Sequence, residues 1–330
     1  MRGFFREHTP GLLIALLIAA FAFGLGRLVP VVGGPVFGIT MGILIATLWR
    51  IPPSIQKGLK FTSKYILQLA VILLGFEMNM VRVIQVGQQS IWVILVTLTA
   101  AFLTALLVGK ALCIQGKLTT LIGVGTAICG GSAIAAASSA IDADDQDISF
   151  SISTIFLFNV AAVFIFPSIG RMLQLSDSGF GMWAGTAIND TSSVVAAAYS
   201  YSSAAGIIAT VVKLTRSLMI VPITLALALI YARITSRHSN FNLVRVFPWF
   251  ILGFLLASLV STLSLLPQEA LHVLAWAGRF LIISAMAAIG LNTSVQAFRK
   301  AGPQALLLGA ATWLAVMIAS LSVQYFSQMW

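Results

Sequence analysis

Apolar runs of about twenty residues follow one another along nearly the whole chain, and that succession limits the fold before any motif is considered. A helix of that length, at ~1.5 Å per residue, matches the ~30 Å hydrocarbon core of a bilayer. Eleven such segments can be marked: 11–29, 31–49, 63–80, 89–112, 118–141, 148–170, 179–201, 204–231, 247–267, 270–291 and 302–326. Charged residues make up 8% of the 330 and hydrophobic residues 59%, against roughly 25% and 45–50% in a soluble domain. This excludes a soluble enzyme, a disordered chain and a disulfide-stapled domain. An outer-membrane barrel is excluded too, because its strands alternate apolar and polar residues. The expected fold class is an all-α polytopic membrane protein, with 1–330 forming one transmembrane domain.

The net charge of +10 falls mostly in short connections. Arg50, Lys57, Lys60 and Lys64 lie in the 50–64 loop, and Lys110 and Lys117 in the 110–117 loop. Arg233, Arg237 and Arg245 lie in the 232–246 loop, and Arg299 and Lys300 in the 292–301 loop. With the N-terminus in the cytoplasm, all four loops fall inside by the positive-inside rule. The basic excess therefore needs no nucleic-acid partner; the lipid bilayer accounts for it. Arg2 and Arg6 before the apolar run at Gly11–Phe23 have the outline of a signal peptide, but the run continues to Val29 and reads as the first transmembrane helix.

Two pairs of segments resemble each other. Pro35–Leu44 matches Pro248–Leu255, and Leu74-Gly75-Phe76-Glu77-Met78-Asn79 matches Ile289-Gly290-Leu291-Asn292. Gly42 aligns with Gly253, and Gly75 with Gly290. The loop charges orient the members of each pair oppositely. An inverted-topology repeat, about 11–170 and about 179–326, is the usual build of secondary transporters.

Two segments carry sequence that a helix tolerates poorly. One is Gly125-Thr126-Ala127-Ile128-Cys129-Gly130-Gly131-Ser132, the other Gly185-Thr186-Ala187-Ile188-Asn189-Asp190-Thr191-Ser192-Ser193. Adjacent glycines each destabilise a helix by about 1 kcal/mol, and Asn, Asp, Ser and Thr favour caps. Both segments are expected to break near the bilayer centre, either as broken spans or as re-entrant arms. A broken helix offers an anion its N–H groups and positive dipole end, while its freed carbonyls suit Na⁺. The candidate substrate-binding residues are Gly130, Gly131, Ser132, Asn189, Asp190, Thr191, Ser192, Ser193 and Lys213. Asp190 and Asn159 are the candidates for ion coupling, by H⁺ or Na⁺. The bland alternatives are small-residue packing for the Gly and Ser stretches, a locked ion pair for Asp190, snorkelling for Lys213 and Arg216, and an interhelical hydrogen bond for Asn159. Glu77, Asn79, Arg279 and Asn292 read as scaffold contacts, and Asp142, Asp144, Asp145 and Asp147 as a solvated loop.

No phosphate-binding Gly-Lys-Ser/Thr loop, zinc-protease His/Glu motif or Gly-x-Ser-x-Gly elbow is present, so no enzymatic activity and no cofactor are expected. Cys113 and Cys129, with scattered His8, His238 and His272, suggest no metal site.

Gly125–Asp147, Gly181–Thr191 and Val211–Arg216 together resemble the YeiH-type family of bacterial inner-membrane proteins, whose members are described as sulfate exporters. The resemblance covers nearly the whole chain. It implies an inner-membrane carrier of a small anion, with sulfate or sulfite favoured and a small carboxylate or Na⁺/H⁺ exchange as alternatives. A non-transporting membrane scaffold is a further alternative. More distantly, Ile128–Ser132, Asp142–Asp147 and Ser149–Thr154 follow the order seen in the bile-acid/sodium symporter fold, within the cation/proton antiporter-like group. The second break comes earlier here than in those symporters, so the second half looks permuted and no sodium ligands are carried over. That likeness implies an elevator-type core moving against a scaffold. A homodimer is compatible with such a machine, though no segment marks an interface.

Overall fold

The computed structural model describes residues 2–29, 32–49, 51–235, 247–293 and 302–330. Arg50, Arg237, His238, Arg245, Arg299 and Lys300, used above, lie outside the described residues. Among the described residues the regular structure is helical, and seven helices are long and apolar enough to cross a membrane. The chain is an all-α polytopic membrane protein. It divides into two compact units, each assembled from separated stretches: Met1–Val86, Val195–Ile207 and Trp249–Val295 in one, Gly87–Val194, Ile208–Pro248 and Gln296–Trp330 in the other.

The first unit holds α1 (Arg2–Leu28), α2 (Gly34–Leu48), α3 (Pro53–Phe61), α4 (Leu67–Leu74), α13 (Phe250–Thr262) and α14 (Gln268–Asn292). Residues 53–61, read above as part of a loop, are helical. Pro52 and Pro53 start this helix, where a fixed φ and a missing N–H cost nothing. A π-helical turn, Thr62–Ile66, carries it into α4. Ala15 and Ile18 of α1 pack with Leu59 and with Ala287, Ala288 and Leu291 of α14, so the first apolar run is part of this core.

The glycines that aligned in the sequence repeat lie at two equivalent helix crossings. α2 crosses α14 where a Cβ on Gly42 would stand 2.5 Å from the Ala287 carbonyl oxygen and 2.8 Å from Gly290 Cα. α4 and its 3₁₀ continuation, Gly75–Glu77, cross α13, where a Cβ on Gly75 would stand 2.5 Å from the Phe254 carbonyl oxygen and one on Gly253 2.8 Å from Ile72. Each crossing thus pairs a helix from the first half of the chain with one from the second. Close backbone approach through small residues drives such contacts in lipid. Gly42→Val is expected to destabilise the protein by about 3 kcal/mol through overpacking, read as a fall of roughly 6 °C in Tm in detergent. Gly24→Ala is the control, since nothing lies within 4 Å of its added Cβ.

The scaffold reading of Glu77, Arg279 and Asn79 agrees with their contacts. Arg279 Nη2 meets Glu77 Oε1 at 2.7 Å, and the Tyr199 hydroxyl donates to Glu77 Oε2 at 3.1 Å. Asn79 Oδ1 accepts from the Val81 N–H at 2.8 Å, at the start of the long helix that follows.

The second unit contains most of α5 (Met80–Ala111), then α6 (Gly116–Ala127), α7 (Gly131–Ala140), α8 (Asp145–Met172), α9 (Asp177–Ala187) and the start of α10 (Thr191–Tyr201). Most of α11 (Ser203–Leu218), α12 (Ile220–Thr235) and α15 (Pro303–Phe326) complete it. The 204–231 segment is interrupted at Met219. Pro222 is the reason, because it has no N–H for the Leu218 carbonyl four residues before it. The acidic run after α7 is not simply a solvated loop. Asp144 Oδ1 accepts from the Asp147 N–H at 2.8 Å as the N-cap of α8, and Asp145 and Asp147 sit in its positive first turn.

Candidate functional site

Both unusual segments break where the sequence weakens them. α6 ends at Ala127 and α7 starts at Gly131; α9 ends at Ala187 and α10 starts at Thr191. At the first break Gly130 has φ +67°, a left-handed value that glycine adopts without a Cβ clash. Its N–H closes α6 by bonding the Gly125 carbonyl at 2.9 Å. The chain then turns back. Lys117 Nζ, at the start of α6, donates to the Asp142 carbonyl, just past α7, at 2.5 Å. A continuous helix would hold those residues more than ~35 Å apart. The first broken segment is therefore a hairpin with two half-bilayer arms, the re-entrant form of the two left open by the sequence.

α15 gives the direction of each entry. Leu118 and Ile122 of α6 pack on Ala305 and Leu308, at its beginning. The opposite end of α15 meets the start of α9, where Ser176 Oγ donates to the Trp330 carbonyl at 2.8 Å; Thr186 Oγ1, near the end of α9, lies 2.7 Å from Ser320 Oγ, further back along α15. α6 and α9 thus enter the unit from opposite ends, and their C-termini converge.

Two cations from α11 serve those C-termini. Lys213 Nζ donates to the Ile128 carbonyl at 2.7 Å and to the Ile188 carbonyl at 3.0 Å. Arg216 Nε donates to the Ala127 carbonyl at 2.6 Å, Nη1 to Ile188 at 3.1 Å, and Nη2 to Thr126. The Ala127-equivalent carbonyl of α9, on Ala187, accepts from Trp313 Nε1 at 3.2 Å. Both cationic side chains are fully buried. Orphan carbonyls and the negative dipole ends of two helices are thereby satisfied together. The sequence reading ranked Lys213 above Arg216 as an anion ligand; both in fact donate to backbone carbonyls, and Arg216 makes the larger number of these bonds.

The remaining candidates lie on the other side of the breaks. Asp190 is the N-cap of α10: its Oδ2 accepts from the Ser192 N–H at 3.0 Å and from the Ser192 hydroxyl. Asn159 Oδ1 from α8 accepts from the Asp190 N–H at 3.1 Å, tying α8 to the second break. A Cβ placed on Gly130 would lie 3.5 Å from Asn159 Nδ2 and 3.6 Å from Asp190 Cβ, so the two breaks face each other here. Gly130 offers no side chain to cap α7, and a Cβ on Gly131 would meet nothing within 4 Å. Ser132 is exposed, Gly131, Asp190 and Thr191 are half-buried, and Asn189, Ser192 and Ser193 are buried. Neither polar atom of the Asn189 side chain has a hydrogen-bond partner, although the residue is fully buried. Cys129 is buried between the two sides. No group of three or more metal-ligating side chains occurs among the described residues.

The fold is that of a multi-pass membrane protein, with polar groups gathered where the two breaks face each other. Its relatives agree with that class. The family described as Conserved hypothetical protein 698 matches residues 10–309. A UPF0324 membrane protein of Streptococcus agalactiae is 43% identical, with 99% of each chain covered. Another from Streptococcus pyogenes is 46% identical with 98% of each covered. One from Fusobacterium nucleatum is 42% identical, covering 95% of this chain and 96% of the relative. No solved structure matches. The chain belongs to the Conserved hypothetical protein 698 family of UPF0324 membrane proteins, and the resemblance to the YeiH-type family fits that membership.

Proposed function

We propose that the protein is a secondary transporter of a small anion in the bacterial inner membrane, with its N-terminus in the cytoplasm. The open N-terminus of α7 carries this reading. The Gly130 N–H is engaged by Gly125, but neither Gly130 nor Gly131 has a side chain to cover the N–H groups that open α7, and the helix dipole adds positive potential there. Behind them stand two fully buried cations, against the single carboxylate of Asp190 at the breaks. That balance favours an anion over a Na⁺/H⁺ cargo, because a site holding one excess positive charge repels a further cation.

The substrate would lie over Gly131 and Ser132, within reach of Asn159, Asn189 and Thr191. An anion there meets Asp190 across the break. Like charges brought together are costly, so Asp190 is the residue through which a coupled H⁺ would act on the anion. A divalent oxyanion with one proton then balances Lys213 and Arg216, which supports sulfate or sulfite. Alternating access would come from movement of the unit that carries both breaks.

The test is uptake of labelled sulfate and sulfite into proteoliposomes, with and without pH and Na⁺ gradients. Saturable uptake driven by an inward H⁺ gradient is expected. Absence of flux for both anions, in vesicles shown to contain folded protein, rejects the sulfur oxyanions and turns the same assay to small carboxylates. Proton movement driven by Na⁺ without anion flux rejects the anion reading altogether.

A further inference from the structure

The carbonyl oxygens of Ile128 and Ile188 come from the C-terminal ends of two half-helices that enter the unit from opposite sides. They converge on one point, and Lys213 Nζ occupies it, 2.7 and 3.0 Å away. Uncharged hard oxygen ligands at two negative dipole ends are what a monovalent cation requires, and unwound carbonyls of broken helices hold coupling ions in other carriers. Among the described residues, Arg216 is the other donor to these helix ends: it shares Ile188 and binds Ala127 and Thr126, one and two residues before Ile128. The charged or thiol groups that face Lys213 are Arg216 on its own helix and Cys129 and Asp190 on the two breaks.

We propose that the Ile128 and Ile188 carbonyls form a monovalent-cation seat, and that the Lys213 ammonium is its resident cation, tethered to α11. Two of its three N–H donors are engaged by the seat itself. A tethered cation holds the two breaks together permanently, without an ion from solution. It follows that Na⁺ neither stabilises the wild-type protein specifically nor couples at this point, which leaves coupling to the carboxylate side of the breaks. Truncating Lys213 would convert the seat into one that a free cation fills. The inference does not depend on the anion-transport reading, because its readout is folding stability.

The experiment is thermal unfolding of the purified wild type, Lys213→Ala and Lys213→Ser in detergent, in the chloride salts of sodium, potassium, methylammonium and choline at equal ionic strength. The wild type is expected to unfold at one temperature in all four. The variants are expected to unfold earlier in choline. Sodium, potassium or methylammonium should then restore them saturably, by about 4 °C when the ion exceeds its dissociation constant ~100-fold. A saturable sodium-specific rise in the wild type overturns the proposal. So do variants that are as stable in choline as in the smaller cations. Failure of both variants to fold in any of the salts also overturns it, since a seat that accepts solution cations would rescue them.

Discussion

Arg216→Ala is expected to yield no folded protein in the membrane fraction. The guanidinium is fully buried and donates to the carbonyls of Thr126, Ala127 and Ile188, on both broken segments. Truncation strands the buried Thr126 and Ala127 carbonyls, while Ile188 keeps its bond from Lys213. Each stranded group costs about 1–3 kcal/mol, and together with the volume left by the guanidinium this reaches the lower end of the stability of a typical domain, roughly 5–15 kcal/mol. Arg216→Lys should fail nearly as badly, because a single ammonium cannot replace three guanidinium nitrogens that each donate to a different carbonyl. The measurement is the yield of monodisperse protein by size-exclusion chromatography after detergent extraction. A well-folded Arg216→Ala protein would show that the carbonyl network contributes little to holding the breaks.

Asp190→Asn should fold normally and lose proton-driven accumulation. Asparagine caps a helix about as well as aspartate, so the start of α10 is retained. What disappears is the ionisable group opposite Gly130. A carrier that moves one proton with each anion supports about 100-fold accumulation under a two-unit pH gradient with the membrane potential clamped at zero, since each unit is a factor of ten. The variant should equilibrate its substrate without accumulating it, and its uptake should no longer rise as the outside is acidified. Counterflow with substrate on both sides should persist, which separates lost coupling from lost binding. Accumulation by Asp190→Asn equal to wild type would remove Asp190 from the coupling and leave it as a cap alone.

Some of this was legible in the sequence for plain physical reasons. Runs of bilayer length declare helices, and Gly130-Gly131 and Asn189–Ser193 declare breaks through propensities that act within a few residues. The repeat glycines were visible because Gly42, Gly75, Gly253 and Gly290 all serve crossings where no Cβ fits or where a neighbour would have to move. Other features lie beyond local signals. That Lys213 and Arg216 face carbonyls depends on α6 and α9 converging from opposite ends, which no window of sequence contains. The hairpin form of the first break became plain only from Lys117 meeting the Asp142 carbonyl. The start of α8 has a local signal that a count of charges hides: Asp144 stands three residues before Asp147 at the head of a long apolar run, an ordinary helix start inside an acidic cluster.

The pairing of early helices with late ones also bears on how the chain is made. The glycine face of α2 around Gly42 finds its partner only on α14, around Ala287 and Gly290. Ribosomes add roughly 5–20 residues per second, so α2 waits in the lipid on the order of ten seconds or longer before that partner is synthesised. During that interval its narrow seam is open to any other small-residue helix in the membrane. Chains that stop before α14 should therefore be cleared by membrane proteases even when every helix they contain has been inserted. Quality control of this protein would then act on about the last fifth of translation, from Gln268 onward, whatever happens to the first.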